Sequence, residues 1–316
     1  MSDSYGDVTA EYLALRGACG LVTDLHQAVV VSGADAVAFL QGLLSQDLEL
    51  APGSITRSFL LSPQGKLAAL LWVLRGEEEV ILVTDGVSGD QLVADLNRFR
   101  IRVDAVIRVE DSPVLELWGP ASTGVLESIA SPVYEGWKRT GWGWIARLPM
   151  GGLDRYLLAG QTEEKLLENG AVRCGSLAAT AVRIEAGEPM MGRDVDTKTI
   201  PQETGLVPEA VSFTKGCYLG QELVARIDSR GHVNRRLLGV RIGENVLPPE
   251  GAEVVGADRT VGFLGSVGES LNLRSPVAMG LIRREVAAGD PLEIRWEGGS
   301  VPAVAVELPL GVFTDR

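Results

Sequence analysis

The sequence has few metal-ligating side chains. It contains three cysteines, Cys19, Cys174 and Cys217, none in a CxxC pair, and two histidines, His26 and His232, far apart in the chain. A self-contained zinc or iron–sulfur cage needs several such ligands at close spacing, so no resident metal site is predicted. The same scarcity excludes a disulfide framework, which is consistent with a reducing cytosol.

Long apolar runs and excess basic charge are also missing. No run of about eighteen apolar residues occurs, so no transmembrane helix is expected, and the N-terminus lacks the regions of a secretory signal. Lysine and arginine number 29 against 42 acidic residues, a net charge of -13. This acidity disfavours broad nucleic-acid binding, which requires phosphate neutralisation. We expect a cytoplasmic protein without membrane or direct nucleic-acid partners.

The most informative stretch runs from Phe213 to Arg226 and joins a loop to a predicted helix. Lys215 and Cys217 lie in the loop, and Glu222 is four residues before Arg226 on one helix face. The helix N-terminus and the nearby ammonium favour the thiolate form of the cysteine. An inert cysteine in an apolar environment is the alternative that remains open.

A second candidate is an acid on a predicted helix that begins with Ser176 as its cap. Glu185 lies along the apolar stripe that contains Ala181 and Val182, so it needs a partner if it is buried. It is either part of a salt bridge or an acceptor for the donor groups of a heterocyclic ligand. The loop 191–203 that follows has a length that suits a functional loop.

Four arginines form the densest basic cluster of the chain: Arg226, Arg230, Arg235 and Arg236. Such a cluster is either a solvated face or a pocket for one small anion. The sequence leaves both interpretations open.

The predicted fold class is α+β. Residues 55–110 have the order strand, strand, strand, helix, strand, which suits a helix packed on a mostly antiparallel sheet. Short strands with Gly/Pro turns, typical of a small β-barrel, are predicted at 237–242, 253–255, 260–267, 277–282, 292–296 and 301–306. The predicted domains are 1–54 together with 111–230, an inserted domain of 55–110, and a barrel of 231–316.

These motifs resemble those of one family. The octapeptide KGCYLGQE at 215–222, followed by Val-Ala-Arg, resembles the K-G-C-Y-x-G-Q-E signature of YgfZ-type folate-binding proteins. The segment 183–189 resembles the RxExGxP element that this family shares with the glycine-cleavage T-protein, an aminomethyltransferase. The resemblance covers essentially the whole chain, with further matches at 20–24, 32–41, 192–194 and 199–203.

The resemblance implies a three-lobed cloverleaf of two α+β domains and a C-terminal β-barrel around a central folate channel. It implies tetrahydrofolate, or a one-carbon derivative held non-covalently, as the cofactor, with Glu185 binding the pterin. Lys215 and Cys217 are the candidates for chemistry. The remaining candidate cofactor-binding residues are Arg183, Tyr218, Gln221, Glu222 and Arg226. The family also implies partners among iron–sulfur enzymes or their assembly factors, including enzymes that modify tRNA.

Two departures from the T-protein pattern bear on activity. The T-protein has two aspartates that polarise the substrate amine, and this chain has Ala68 and Ala69 there. Because alanine cannot act as a general base, aminomethyl transfer is predicted to be absent. At 24–27 the usual Ser-His pair is shortened, which leaves the N-terminal lining of the channel open.

Three functions follow as hypotheses. The first is a tetrahydrofolate-binding accessory protein for iron–sulfur cluster assembly or repair that uses Cys217. The second is a folate-dependent, aminomethyltransferase-like one-carbon transferase. The third is a cysteine-nucleophile enzyme, which needs His26 or His232 as the base.

Overall fold

The computed structural model describes residues 2–131, 133–231 and 233–310. His232, the nearer candidate base for Cys217, lies outside the described residues, as does the side chain of Arg230. No helix within these ranges is long and apolar enough to cross a membrane. The α-helices of the described chain are α1 (Val8–Gly17), α2 (Ala36–Gln41), α3 (Gly89–Asn97), α4 (Ser122–Glu127), α5 (Glu163–Glu168), α6 (Ser176–Ala186), α7 (Val207–Ala210) and α8 (Gln221–Arg230).

A six-stranded sheet is built from distant parts of residues 20–173. In spatial order its strands are β11 (Val172–Arg173), β1 (Gly20–Thr23), β7 (Val114–Trp118), β10 (Arg155–Ala159), β9 (Trp144–Arg147) and β8 (Trp137–Arg139). Alternation along the strands divides their side chains between the two faces. Leu21 and Leu117 pack towards α4 and α5, whereas Val22 and Trp118 pack towards α1 and α6.

A five-stranded sheet lies against the first. Its spatial order is β3 (Ile55–Leu61), β4 (Leu67–Arg75), β5 (Glu79–Asp85), β2 (His26–Ser32) and β6 (Val106–Val109). Helices α2 and α3 cover its outer face with one apolar cluster. On the inner face, Val83 and Leu74 share a core with Trp144 and Leu157 of the first sheet.

The predicted element order of 55–110 is confirmed. The sheet, however, also contains β2, which the predicted division assigns to the other domain. This strand pairs with β5 and β6, partners that lie more than forty residues away in sequence, so local patterning does not reveal them. The division of the chain into domains stays a prediction.

The C-terminal part forms a closed barrel, and all six predicted strands are present. Around the barrel they are β12 (Arg235–Ile242), β15 (Ser275–Arg283), β14 (Arg259–Ser270), β13 (Glu253–Gly256), β16 (Pro291–Trp296) and β17 (Gly299–Val306). Helix α6 packs closely on β14: a Cβ at Gly268 would lie only 3.0 Å from the Cα of Ala181. The α+β class with a C-terminal barrel is therefore confirmed, and α6 lies between the first sheet and the barrel.

Two glycines allow the segment 215–222 to pack closely against the turn between β3 and β4. Gly220 has a φ of +77°, and a Cβ there would lie 2.5 Å from the carbonyl oxygen of Ser62. Gly65 has a φ of +73°, and its Cβ would lie 2.6 Å from the Cβ of Leu223. Glycine is required at both positions because the backbones approach too closely for a side chain.

We expect Gly220→Ala to destabilise the protein more than Gly205→Ala. Both glycines have a φ of +77°, so both substitutions share the cost of a left-handed alanine, about 1–2 kcal/mol. A methyl group at Gly205 meets nothing within 4 Å, whereas one at Gly220 meets the Ser62 carbonyl. Such overpacking adds about 1–3 kcal/mol. Urea unfolding measures the difference, and equal losses in the two variants would contradict the contact.

Candidate functional site

Helix α6 carries two of the predicted site residues. Its C-terminal cap is Gly187, which adopts the left-handed conformation typical of this position. Its N-cap is Gly175 rather than the predicted Ser176, whose hydroxyl instead donates to Asp3 at 2.9 Å. The predicted helix is thus present, with the cap one residue earlier.

Glu185 is fully buried between α6 and α1. Its Oε1 accepts a hydrogen bond from the Tyr12 hydroxyl at 2.5 Å, and its Oε2 is paired with Arg16. Burial, reinforced by Glu185, raises the pKa of Tyr12 to about 12. The buried acid has the partner that its position requires, in the form of an internal ion pair. Its assignment to pterin binding stays a prediction.

Arg183 connects α6 to the following loop and to the barrel. Its Nη1 donates to the carboxylate of Asp194 at 2.7 Å and to the carbonyl of Glu188 at 2.6 Å. Its Nη2 donates to the hydroxyl of Ser266 in β14, and the Ser266 amide donates to Asp194 at 2.8 Å. The arginine and aspartate side chains are 3% and 0% exposed, so this is a buried ion pair with several further hydrogen bonds.

A cavity of about 270 Å³ lies beside this ion pair. The β1–β2 turn, α6 and the loop after it form the walls: Asp24, Leu25, Gly86, Ser176, Ala179, Thr180, Arg183, Met190 and Arg193. A second cavity of about 430 Å³ shares Asp24 and is also lined by His26. The volume of the larger cavity falls in the range of small-molecule sites.

A group of charged side chains that the sequence did not assign to one site is buried between the two sheets. His26, Glu116, Arg155 and Glu188 are each less than 10% exposed. The Nδ1 of His26 lies 2.5 Å from Glu116, which also accepts a hydrogen bond from the indole of Trp118 at 2.9 Å. Burial opposes both charges, but the attraction between the partners raises the pKa of His26 and lowers that of Glu116.

Glu188 extends this group to the edge of the second sheet. It is paired with Arg57, whose guanidinium lies 4.0 Å from the ring centroid of Trp72. Burial acts against the charge of Glu188, but Arg57 and Arg155 lower its pKa. The junction of the two sheets therefore holds ionised side chains of both signs.

Asp85 neighbours one lining residue of each cavity. It lies opposite His26 in the antiparallel register of β2 and β5. The next residue, Gly86, lines the smaller cavity. The residue is partly exposed, but its carboxyl is enclosed, and burial raises the pKa of Asp85 against the effect of His26.

Two buried polar atoms close to the His26–Glu116 pair have no hydrogen-bond partner among the described residues. They are Oδ1 of Asp85, an acceptor, and Nη2 of Arg155, a donor. An unpaired buried polar atom is costly and marks a position for water or for a polar ligand.

The predicted residues of the cysteine motif lie in a different environment. Cys217 is exposed on the loop before α8. The ammonium of Lys215 donates to the carbonyls of Gln41, Leu44 and Gln46 at 2.8, 2.8 and 2.9 Å. Burial lowers the pKa of Lys215 to about 8.

The other motif residues lie just after Cys217, before and within α8. Tyr218 is buried, which raises its pKa to about 12, and its backbone amide donates to Gln221 at 3.1 Å. Glu222 and Arg226 are exposed on α8. In the predicted basic cluster, two members have separate partners: Arg235 pairs with Glu203, and Arg236 with Glu307.

The structure therefore divides the predicted site residues among three environments. Glu185 pairs with α1, Arg183 lines the smaller cavity, and the residues from 215 to 226 lie on the segment attached to the second sheet. Neither Glu185 nor Cys217 lines either of the two cavities described above.

Comparison with known proteins identifies the family. The GCVT N-terminal domain matches residues 2–161, and the glycine cleavage T-protein C-terminal barrel domain matches residues 235–310. Because the first match alone covers half of the chain, this protein belongs to the glycine-cleavage T-protein family. The resemblance to the T-protein is confirmed at this level, and membership of the YgfZ-type group stays a prediction.

Named relatives and a solved structure agree with this assignment. An aminomethyltransferase of Nostoc sp. is 26% identical, with 98% of this chain and 89% of that protein aligned. An aminomethyltransferase of Thermus thermophilus is 28% identical, with 96% and 90% aligned. The crystal structure of glycine cleavage system aminomethyltransferase T from Bartonella henselae has a TM-score of 0.88 at 22% identity, covering 96% of this chain and 89% of that one. This last likeness concerns the fold.

We expect Glu116→Gln to lower the free energy of unfolding by about 3 kcal/mol, because it leaves a buried histidine without its charged partner. Glu293→Gln is the control, since it removes one partner of an exposed ion pair with Arg295, and such pairs contribute little. Chemical denaturation followed by tryptophan fluorescence measures both variants. Equal stability of Glu116→Gln and the parent protein would contradict a stabilising role of the pair.

The difference between the parent protein and Glu116→Gln depends on pH. The pKa of Glu116 is lowered from its ordinary value of 4.5. This residue therefore stabilises the fold fully at pH values above 4.5 and loses its contribution as the pH falls. The pKa of His26 is raised from its ordinary value of 6.5. This residue therefore stabilises the fold fully at pH values below 6.5 and loses its contribution as the pH rises. The difference in unfolding free energy is therefore expected to be largest between pH 4.5 and 6.5.

Proposed function

We propose that this protein binds tetrahydrofolate, or a one-carbon derivative of it, at the junction between the two sheets and α6. The observation that carries the proposal is the pair of unmatched buried polar atoms, Asp85 Oδ1 and Arg155 Nη2, on residues that neighbour the cavity-lining Gly86 and His26. A pterin presents ring N–H and amino donors next to a carbonyl acceptor. A carboxylate and a guanidinium complement this edge, and relatives are named aminomethyltransferase.

Two uses of the bound folate are supported by different observations. The names of the relatives favour aminomethyl transfer to tetrahydrofolate. Against it stand Ala68, half-buried at the margin of the outer apolar cluster, and Ala69, buried within it. Neither methyl group supplies a base or holds an ammonium.

The second use is that of an accessory protein for iron–sulfur enzymes or their assembly factors in the cytoplasm, with Cys217 as the reactive group. It is favoured by the exposure of this thiol and by the KGCYLGQE octapeptide. We propose this use as the main function because the chain lacks the pair of acids at 68 and 69.

Anaerobic calorimetric titration with tetrahydrofolate tests the shared part of the proposal. We expect saturable binding by the parent protein and a loss of affinity of about tenfold or more in Thr180→Trp, because a tryptophan fills the small cavity. Leu177→Trp is the matched control, since Leu177 lies on the same helix, is 50% exposed and does not line the cavity. Absence of saturable binding, or equal affinities of the two variants, would refute this site.

A second measurement separates the two uses. Transfer of an aminomethyl group to tetrahydrofolate by the parent protein would favour the enzyme and contradict the prediction from Ala68 and Ala69. If the accessory function holds, Cys217→Ser keeps its folate affinity and loses support of iron–sulfur enzymes in cells. Full support by that variant would remove the thiol from the proposal.

A further inference from the structure

The ammonium of Lys215 is enclosed by carbonyl oxygens. Those of Gln41, Leu44 and Gln46 lie at 2.8, 2.8 and 2.9 Å from Nζ, and the side-chain oxygen of Gln41 lies at 3.3 Å. An ammonium has three N–H donors, so the three backbone carbonyls use all of them. No donor of Lys215 is left for the thiol of Cys217.

These carbonyls belong to the end of α2 and the turn after it. The last carbonyls of a helix have no partner within the helix and are often satisfied by a lysine. Here the lysine comes from a segment about 170 residues further along the chain. The contact therefore fixes the position of a distant loop and also caps α2.

Other hydrogen bonds join the same two segments on both sides of the lysine. The amide of Ser212 donates to the carbonyl of Ser45 at 3.0 Å, and the amide of Leu219 donates to the carbonyl of Gly42 at 3.2 Å. The Ser45 hydroxyl donates to the carbonyl of Ala210 at 2.6 Å. Cys217 lies between these attachments but remains exposed.

We propose that Lys215 is a positioning residue: it holds the segment 212–219 against 41–46 and thereby sets the place at which Cys217 is presented. In this role the lysine exchanges no proton with the thiol, and it contacts neither of the two cavities. The lysine and the cysteine of the octapeptide then have separate tasks. The lysine orders the loop, and the cysteine is offered to a molecule outside the protein.

Hydrogen exchange of the amides of Ser212 and Leu219 tests this role in Lys215→Ala. Loss of three charge-assisted hydrogen bonds is expected to accelerate both exchanges by about tenfold or more. Lys198→Ala is the control, because Lys198 is exposed on another loop. Unchanged protection in Lys215→Ala would overturn the proposal.

Chemical rescue distinguishes hydrogen bonding from general destabilisation. Ethylammonium chloride added to Lys215→Ala is expected to restore protection of the two amides, because its three N–H groups can occupy the carbonyl site. Tetramethylammonium chloride at the same concentration has no donors and is expected to have no effect. Equal rescue by the two salts, or no rescue by ethylammonium, would contradict the assignment.

A measurement on the parent protein avoids dependence on the folding of a variant. Hydroxyl-radical labelling mapped by mass spectrometry attacks the carbon atoms of the side chain rather than the free amine. It is expected to modify Lys215 more slowly than Lys66 or Lys198, since its side chain is enclosed and theirs are exposed. Equal labelling would overturn the proposal. None of these three experiments uses folate, so failure of the proposed folate function appears only in the titrations described above.

Discussion

The buried ion pair between Arg183 and Asp194 determines how three parts of the molecule meet. It joins α6 to the loop that follows and, through Ser266, to the barrel. Two buried charges are stable in such a place only when they are paired and further hydrogen-bonded, and loss of one partner typically costs about 3–5 kcal/mol. Because Arg183 also forms part of the wall of the smaller cavity, the shape of that cavity depends on the same contact.

The molecule contains two kinds of chemical environment. Inside, His26, Glu116, Arg155 and Glu188 lie where water is largely excluded, so their electrostatic interactions are strong. Outside, Cys217 lies on a loop that the solvent reaches. In the proposed function, the first environment receives the small polar ligand and the second meets the protein partner. The two environments need not act on the same molecule at the same time.

Much of the fold follows from local patterns. Short alternating strands between Gly/Pro turns predicted the barrel, and all six strands are present. Membership of β2 in the second sheet was not predictable in this way, because its partners β5 and β6 are remote in the chain. A remote partner also explains why the predicted cap at Ser176 was wrong. The hydroxyl of Ser176 donates to Asp3, which is distant in the chain.

The candidate site was predictable only in part. Arg183 and Glu185 were found from a motif, but their partners Asp194 and Arg16 come from other elements. The acid at 116 is a usable signal that was missed: a carboxylate within the apolar strand Val114–Trp118 must have a buried partner. Sequence spacing gave no indication that this partner is His26, ninety residues away.

For Lys215 the sequence suggested a partner that the structure does not show. Its nearness to the cysteine in sequence suggested that the ammonium favours the thiolate, but the side chain turns to the carbonyls of 41, 44 and 46. Outside helices and strands, the relative direction of two side chains that are two residues apart is not fixed by backbone periodicity. Proximity in sequence is therefore a weak guide to electrostatic partnership when helix or strand periodicity does not apply.

The carboxylates of the junction constrain which reaction the fold supports. Glu116 and Glu188 are occupied by His26 and Arg57. Among the described residues, Asp85 is the junction carboxylate with an unpaired buried oxygen. Burial raises its pKa, which makes it a stronger proton acceptor than an exposed aspartate. The oxygen that would accept a pterin donor is thus the same atom that would serve as a base. Because both interactions use the same oxygen, a pterin donor bound there would compete with proton abstraction by Asp85.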